Sequence, residues 1–569
     1  MKQSAGPYAT GASSLSVDWL WFLACAVASS VWCVTAASQL SATFDEPVYI
    51  VRGLEAWRSG SRSGLLKLGT MPLPIDIATL PLFIAERWRG TQFDTAAQLI
   101  QLLPWARAGT LVFWWLLLFY TWRAGRALAG AWAGRLGVAL VACEPTMLAH
   151  ASLATTDVAV TACLLVLVYH FRMGRDLSWL HRVGVPALWY AATVLAKASG
   201  LVYGPLCLLV AEIERLADTR ERVGIRTRLA QLKPFGRDLG QIVGCGLVLV
   251  FLYCGSDWRT EPSFAAWAHG LPDGPLSTAT LWLAEHLRIF SNAGEGLVRQ
   301  IKHNVRGQGG HWAYLFGAQR RAFWYYFPAA LSLKLSVPLL ALPLLVGVLR
   351  PRALWNWANA AAAALLLLSL TARVQIGVRF ALPIVALAAV GLAASVVETC
   401  RSQARAWVRY ACVAAAGAGV VWTATAAVTV WPHGLSYTNS FGGGTERGYL
   451  YLSDSNYDWG QGLIELARWQ AAHGGGPLDV WYFGTDPRVD SPPLRQLPLH
   501  ILPIERPQDV LAYAHGRLAA GTTLLYGTDI SAAQRQAAAF LRGLEPVGRT
   551  ATFFIYDLSR ANDRRQVLP

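Results

Sequence analysis

The chain has 569 residues, of which 54% are hydrophobic and only 15% charged, with 25 tryptophans and a formal net charge of +15. So few charges exclude an ordinary soluble protein. The basic excess does not read as a nucleic-acid surface either, because Lys and Arg are scattered through short connections with no aromatic-interleaved basic face.

What remains is a polytopic α-helical membrane protein. Residues 1–17 carry one Lys and no compact cleavable apolar segment, so 19–37 is expected to be retained as the first span. Apolar stretches then predict spans at roughly 17–38, 103–121, 132–149, 153–171, 184–196, 199–213, 236–254, 326–349, 355–371, 378–397 and 409–430, about eleven crossings. Arg123, Arg126 and Arg135, then Arg172, Arg175 and Arg182, the run from Arg215 to Lys233, Arg350 and Arg352, and Arg401, Arg405 and Arg409 fit one side of the membrane, the cytoplasmic one. This places the N-terminus inside and the C-terminal region outside. If the two segments flanking Lys197 form one span, the topology after them inverts. The expected organisation is a membrane domain over 1–430, with outer loops at 39–102 and 255–325, and an outer domain over 431–569.

In the outer domain, a helix over 462–470 precedes an apolar strand at 479–483. A second strand at 523–526 leads through Ser531, a candidate N-cap, into a helix ending near 544, and a third strand follows at 552–556. This alternation predicts a small α/β domain, with the proline-rich segment 487–507 an irregular excursion. The nine cysteines, from Cys25 to Cys412, fall in or beside the spans, and no pair has metal-ligand spacing; they read as packing residues.

Three outward regions carry groups that packing does not require. Asp45 and Glu46 follow the first span, and the same connection holds Arg52, Arg58, Arg62 and Lys67. One reading makes the acidic pair a helix cap; the other makes at least one carboxylate a proton acceptor. Glu144, His150 and Asp157 lie at the ends of adjacent spans, where an ionisable residue is a site candidate. His150 and Asp157, seven residues apart, share a face if a helix runs between them. The third region is 453–461, where Asp454, Asn456, Asp458 and Trp459 suit sugar hydroxyls and a pyranose face; an Asx-turn capping the next helix is the alternative. Asp454, Asn456 and Asp458 do not complete a calcium loop. Zinc at His150 with Glu144 or Asp157 has only His303 or His311 to complete it. No metal or cofactor is indicated. Arg299, Lys302, Arg306, Arg320 and Arg321 on the outer side, with Lys334, Arg373 and Arg379 at span ends, call for an anion such as a lipid phosphate.

Taken in order, Asp45-Glu46-Pro47, Glu144-Pro145 through Asp157, Ala196-Lys197-Ala198-Ser199, Trp324-Tyr325-Tyr326-Phe327, Gly377-Val378-Arg379-Phe380 with Pro383, and 454–461 resemble the dolichyl-phosphate-mannose protein mannosyltransferase and aminoarabinose transferase superfamily. These are membrane glycosyltransferases of the C fold, and the likeness is closest to their little-characterised bacterial relatives. The resemblance implies a polyprenyl-phosphate-linked sugar donor, a lipid, glycan or protein acceptor, and a bacterial inner membrane with the C-terminal domain in the periplasm. It puts the family's base on Asp45, with Glu46 and Asp157 supporting, and its donor-phosphate contacts on Lys197 and Arg379. From their charge and position, Lys334 and Arg58 are expected beside them. Where the family often has His-Pro-Pro-Leu, this chain has Met71-Pro72-Leu73-Pro74, so no metal or acceptor role passes to that position. The expected reaction is inverting transfer with Asp45 as general base. The alternatives are a transporter or flippase for a lipid-linked sugar and a noncatalytic subunit of an envelope glycan complex.

Overall fold

The computed structural model describes residues 12–559 except 219–224, 261, 287, 289–290, 307–311, 515 and 528–530. The side chains of Lys302, His303 and Arg306, and the whole of His311, lie outside the described residues.

The chain opens with α1 (Ala12–Ala37). The connection after it folds into α2 (Glu46–Ser59), α3 (Ser63–Leu66) and α4 (Leu73–Arg89). The helical body continues through α5 (Leu99–Ala129), α6 (Ala131–Cys143), α7 (Pro145–Ala151), α8 (Asp157–Gly174), α9 (Val185–Ala196), α10 (Gly200–Asp218) and α11 (Ile225–Cys254). A second excursion holds α12 (Pro262–His269), α13 (Pro275–His286), α14 (Ser291–Arg306) and a hairpin of β1 (Ala313–Leu315) and β2 (Ala318–Arg320). Then come α15 (Tyr326–Lys334), α16 (Val337–Leu349), α17 (Trp357–Ser369), α18 (Leu382–Ser402) and α19 (Ala406–Val430).

Among the described residues six helical segments are long and apolar enough to cross a membrane, in α1, α5, α8, α11, α18 and α19, or seven if α15 and α16 are one span bent by 107°. This corrects the expectation of about eleven. At 1.5 Å per residue, α6, α9 and α17, with 13, 12 and 13 residues, fall short of a hydrocarbon core about 30 Å thick. The stretch 132–149 breaks at Glu144, whose extended backbone separates α6 from α7. α10 has the length, but Glu212, Glu214 and Arg215 crowd its last turns. Apolar composition was legible; helix breaks inside apolar runs were not. α8 and α18 form the centre, each with 83% of its span buried, while α11 and α19, at 28%, lie at the edge.

The C-terminal domain contains α20 (Leu463–Ala472), β3 (Leu478–Trp481), β4 (Leu494–Gln496), β5 (Arg517–Gly521), α21 (Ala532–Arg542), β6 (Gly548–Arg549) and β7 (Phe553–Asp557). The five strands form one sheet in the order β4-β3-β5-β7-β6, with β3 parallel to β4 and β5, and β7 antiparallel to β5 and β6. Side chains alternate across the sheet. Val480, Ala519, Phe553 and Ile555 pack with Leu463 and Leu466 of α20, whereas Trp481, Leu518, Ala520, Phe554 and Tyr556 pack with Ala537, Ala538 and Leu541 of α21. Both faces are covered, which is why the strands read as continuous apolar runs. Ser531 caps α21 by accepting from the Gln534 N–H at 3.1 Å. The strand expected at 523–526 lies instead at Arg517–Gly521, and 523–527 is a helical turn. Asp458 draws the chain out of the ladder there, accepting from Thr522 Oγ1 and the Thr523 N–H, both at 3.2 Å. The excursion at 487–507 also contributes an edge strand, β4.

Candidate active site

The acidic pair sits where the membrane body and the C-terminal domain meet. Residues 41–44 run beside 459–463: Ser41 N donates to Gln461 O and Phe44 N to Trp459 O, both at 3.0 Å, and the Ser41 hydroxyl bridges Gly460 O at 3.0 Å and Leu463 N at 2.9 Å. Phe44 stacks on Phe483 at 5.5 Å, and the Ala42 N–H donates to Asp486 at 3.1 Å. The chain entering α2 is therefore fixed from both sides.

Asp45 occupies the N-cap position of α2, yet its carboxylate makes no capping bond. It meets Arg379 Nη1 at 2.8 Å and keeps 24% of its side chain exposed. Glu46, the next residue, is fully buried. Arg107 Nε and Nη2 grip its two oxygens at 2.8 and 2.7 Å, Thr43 donates from both N and Oγ1, and the Ala154 N–H donates at 2.8 Å. Burial alone would raise this carboxyl, but Arg107 and the backbone donors outweigh it and hold it below its ordinary value. Arg107 in turn donates to the carbonyls of Ala37, Leu40 and Ser41 at 2.6 to 3.0 Å. Sequence reasoning missed Arg107. Its signal was a lone cation inside an apolar run, which needs a partner.

Around Asp45 the structure gathers Arg379, Lys197, Asp157, His150 and Trp459. Lys197, the extended C-cap of α9, reaches Asp157 at 2.5 Å and lies 3.8 Å over the Phe380 ring. The Arg379 guanidinium stacks 4.2 Å over Trp459 and 5.2 Å over Phe380. The helix between His150 and Asp157 is interrupted at 152–156, so the expected continuous face is absent; the two residues interact electrostatically through the turn instead. Three buried polar atoms of this cluster, Asp157 Oδ2, Arg379 Nε and His150 Nδ1, have no hydrogen-bond partner among the described residues. Buried polar atoms are paired in most proteins, so a concentration of three marks the place where a ligand or water belongs.

Asp454 borders the cluster at a positive φ of 56° and is close enough to Arg379 to interact with it. Burial pushes its carboxyl up to about 7 against the pull of Arg379. Gly377 precedes Arg379 at φ 154°, and a Cβ there would lie 2.0 Å from Ser455 Oγ. Only glycine lets the 454–456 turn close onto the 378–381 turn that precedes α18.

The remaining expected site residues are engaged elsewhere. Lys334 uses all three ammonium donors on the carbonyls of Leu435, Tyr437 and Asn456, at 2.6 to 2.7 Å, and has none left for phosphate. Arg58 clamps α2 to α4, holding both oxygens of Glu86 and the Phe93 carbonyl. Glu144 accepts from Ser336 N and Oγ where α16 begins. Asn456 accepts from Val378 N at 2.8 Å and donates to Tyr326 Oη at 2.9 Å, which positions the residue beside Arg379. Asp458, its carboxyl raised by burial to about 6, ties this loop to the sheet. Trp459 presents its face to Arg379 and not to solvent. Among the described residues no group of three His, Cys, Asp or Glu side chains lies close enough to hold a metal ion.

No family model and no curated protein matches the chain. Among solved structures it is similar to ArnT from Cupriavidus metallidurans bound to undecaprenyl phosphate, at 15% identity, covering 94% of this chain and 97% of that one with a TM-score of 0.43. It is also similar to the archaeal oligosaccharyltransferase AglB from Archaeoglobus fulgidus in complex with an inhibitory peptide and a dolichol-phosphate, at 11% identity, covering 94% of this chain and 74% of that one with a TM-score of 0.42.

Proposed function

We propose that this protein is a membrane glycosyltransferase that moves a monosaccharide from a polyprenyl-phosphate carrier to a hydroxyl or phosphate acceptor, with inversion, at the outer face of a bacterial inner membrane. The observation that carries this reading is the Asp45 carboxylate. It stands at a helix N-terminus without capping it, remains partly open, and pairs with a cation in a cluster that also holds Lys197 and three unpartnered buried atoms.

Lys197 and Arg379 are the two cations for the donor phosphate, and in this state each is balanced by one carboxylate. A phosphate entering between them takes over those contacts and frees Asp45. An apolar cavity of about 730 Å³, lined by Trp19, Phe22, Ile77, Phe113, Phe119 and Ala192, suits the polyprenyl chain. Ala192 lies on α9, the helix that Lys197 ends.

In the reaction, the acceptor oxygen attacks the anomeric carbon and passes its proton to Asp45. The carbon–oxygen bond to phosphate breaks with its electrons on the phosphate oxygen, where Lys197 and Arg379 stabilise the charge. Asp157 orients Lys197, and Glu46 acts as a positioning residue for Asp45. The products are the glycosylated acceptor and polyprenyl phosphate.

The test uses protein purified with its lipids and supplied with a radiolabelled polyprenyl-phosphate sugar. Donor cleavage by wild type, lost about 100- to 10,000-fold in Asp45→Asn with donor binding retained, supports the transferase. Movement of intact donor across a vesicle bilayer without cleavage overturns it in favour of a carrier.

A further inference from the structure

A second cavity, of about 1000 Å³, lies on the other side of the 435–457 segment. Its floor is the outer end of α19, with Trp422, Ala426, Val430 and Trp431, and its upper wall carries His433, Glu465, Glu446 and Arg549. Tyr437 and Tyr457 line it, while Asn456, adjacent to Tyr457, reaches Val378 beside Arg379. The 435–457 segment therefore borders this cavity on one side and the cluster around Asp45 on the other.

Two features identify its ligand. The lining is amphipathic along one axis. Trp431, 40% exposed, stands at the end of the α19 span, the depth at which aromatic side chains meet lipid head groups, and Trp422, 56% exposed, lies about two turns deeper in the same span. Polar groups begin immediately beyond them. The charge also differs from that of the Asp45 cluster: Glu446 and Glu465 face a single lining arginine, Arg549, which is already committed to Glu446 O and Tyr457 Oη. His433 pairs with Glu465 at 3.7 Å. A phosphate head group meets repulsion here, whereas carboxylates, Asn439, Ser440 and tyrosine rings are the groups that hold sugar hydroxyls and pyranose faces.

We infer that this cavity binds an uncharged, sugar-headed membrane lipid, with the sugar among Glu446, Glu465, Asn439 and Tyr437 and the chain along α19. This site stands independently of the donor reading, since none of its residues touches Asp45, Lys197 or Arg379.

The test is native mass spectrometry of the full-length protein after equilibration in vesicles holding equal mole fractions of dihexosyl diacylglycerol, phosphatidylglycerol and phosphatidylethanolamine. Wild type is expected to retain one dihexosyl diacylglycerol, enriched about tenfold over phosphatidylglycerol. Thr425→Trp, at an exposed position of the floor, is expected to abolish that enrichment, and Ser440→Arg to shift retention toward phosphatidylglycerol. Preference of the wild type for phosphatidylglycerol, or enrichment unchanged in both variants, overturns the inference.

Discussion

Asp45 and Glu46 are neighbours of the same charge, both paired with an arginine, and the fold gives them opposite surroundings. Every oxygen of Glu46 is matched by donors from Arg107, Thr43 and Ala154, in a setting with no exposure. Asp45 has one strong partner, an open edge, and neighbours whose polar atoms lack partners. The same contrast separates Lys334, with all three donors used on carbonyls, from Lys197, which holds one carboxylate and an aromatic face. Saturation, and not charge or burial alone, divides the ionisable groups that build this protein from those available to a ligand.

The sharpest way to break this contrast is to neutralise each member of the acidic pair. Asp45→Asn is expected to lower donor cleavage about 100- to 10,000-fold with a smaller stability loss than Glu46→Gln, because the amide oxygen still accepts from Arg379, which keeps its stacking on Trp459 and the nearby charges of Asp157 and Asp454. Glu46→Gln leaves Arg107 buried without a countercharge and is expected to cost about 3–5 kcal/mol of stability, seen as lost folded yield and a lower melting temperature. Equal stability losses in the two variants would erase the distinction.

The lysines give the next comparison. Lys334→Met strands three buried carbonyls and is expected to destabilise by about 3 kcal/mol or more, with the donor KM of the surviving protein unchanged. Lys197→Gln is expected to raise the donor KM of the folded protein about tenfold; it also takes the ion pair from the buried Asp157, so the melting temperature falls as well and the KM is the reading that separates it from Lys334→Met. Steady-state kinetics beside differential scanning fluorimetry reads both. A KM effect confined to Lys334→Met would reverse the assignment of the phosphate cation.

Much of this cluster was legible in the sequence. Asp45, Asp157, Lys197, Arg379 and Trp459 each stand out as polar or aromatic residues at the ends of apolar runs, where packing has no use for them. Their saturation was not legible, because it depends on which backbone groups meet them. Thr43 is a local partner three positions away, but Ala154 approaches Glu46 only once α2 and the turn before α8 have docked. Arg107 shows the same limit: its place in an apolar span announced a need for a partner, but the partner lies 61 positions away. In the fold, apolar composition marked the membrane helices, while the breaks at Glu144 and at 335–336 depend on backbone geometry that hydropathy does not encode.

The last comparison concerns Asp454, which lies between the two classes: its Oδ1 accepts from the Ser455 N–H at 2.6 Å, and it faces Arg379 without a direct bond. Its carboxyl is raised from 3.8 to about 7, burial being the largest cause and Arg379 pulling the other way. An acid raised on folding binds more protons in the folded state than in the unfolded state between those two values, so stability is greatest below the lower value and falls as pH rises toward the upper one. Melting temperature is therefore expected to decline between about pH 4 and pH 7 through this group, and Asp454→Asn to flatten that part of the profile while changing little at pH 4. Arg379→Gln sharpens the comparison. Without the guanidinium the same carboxyl is held still higher, and the decline is expected to extend above pH 7. An unchanged profile in both variants would place Asp454 with the saturated groups and leave Asp45 and Asp157 as the carboxylates of the cluster.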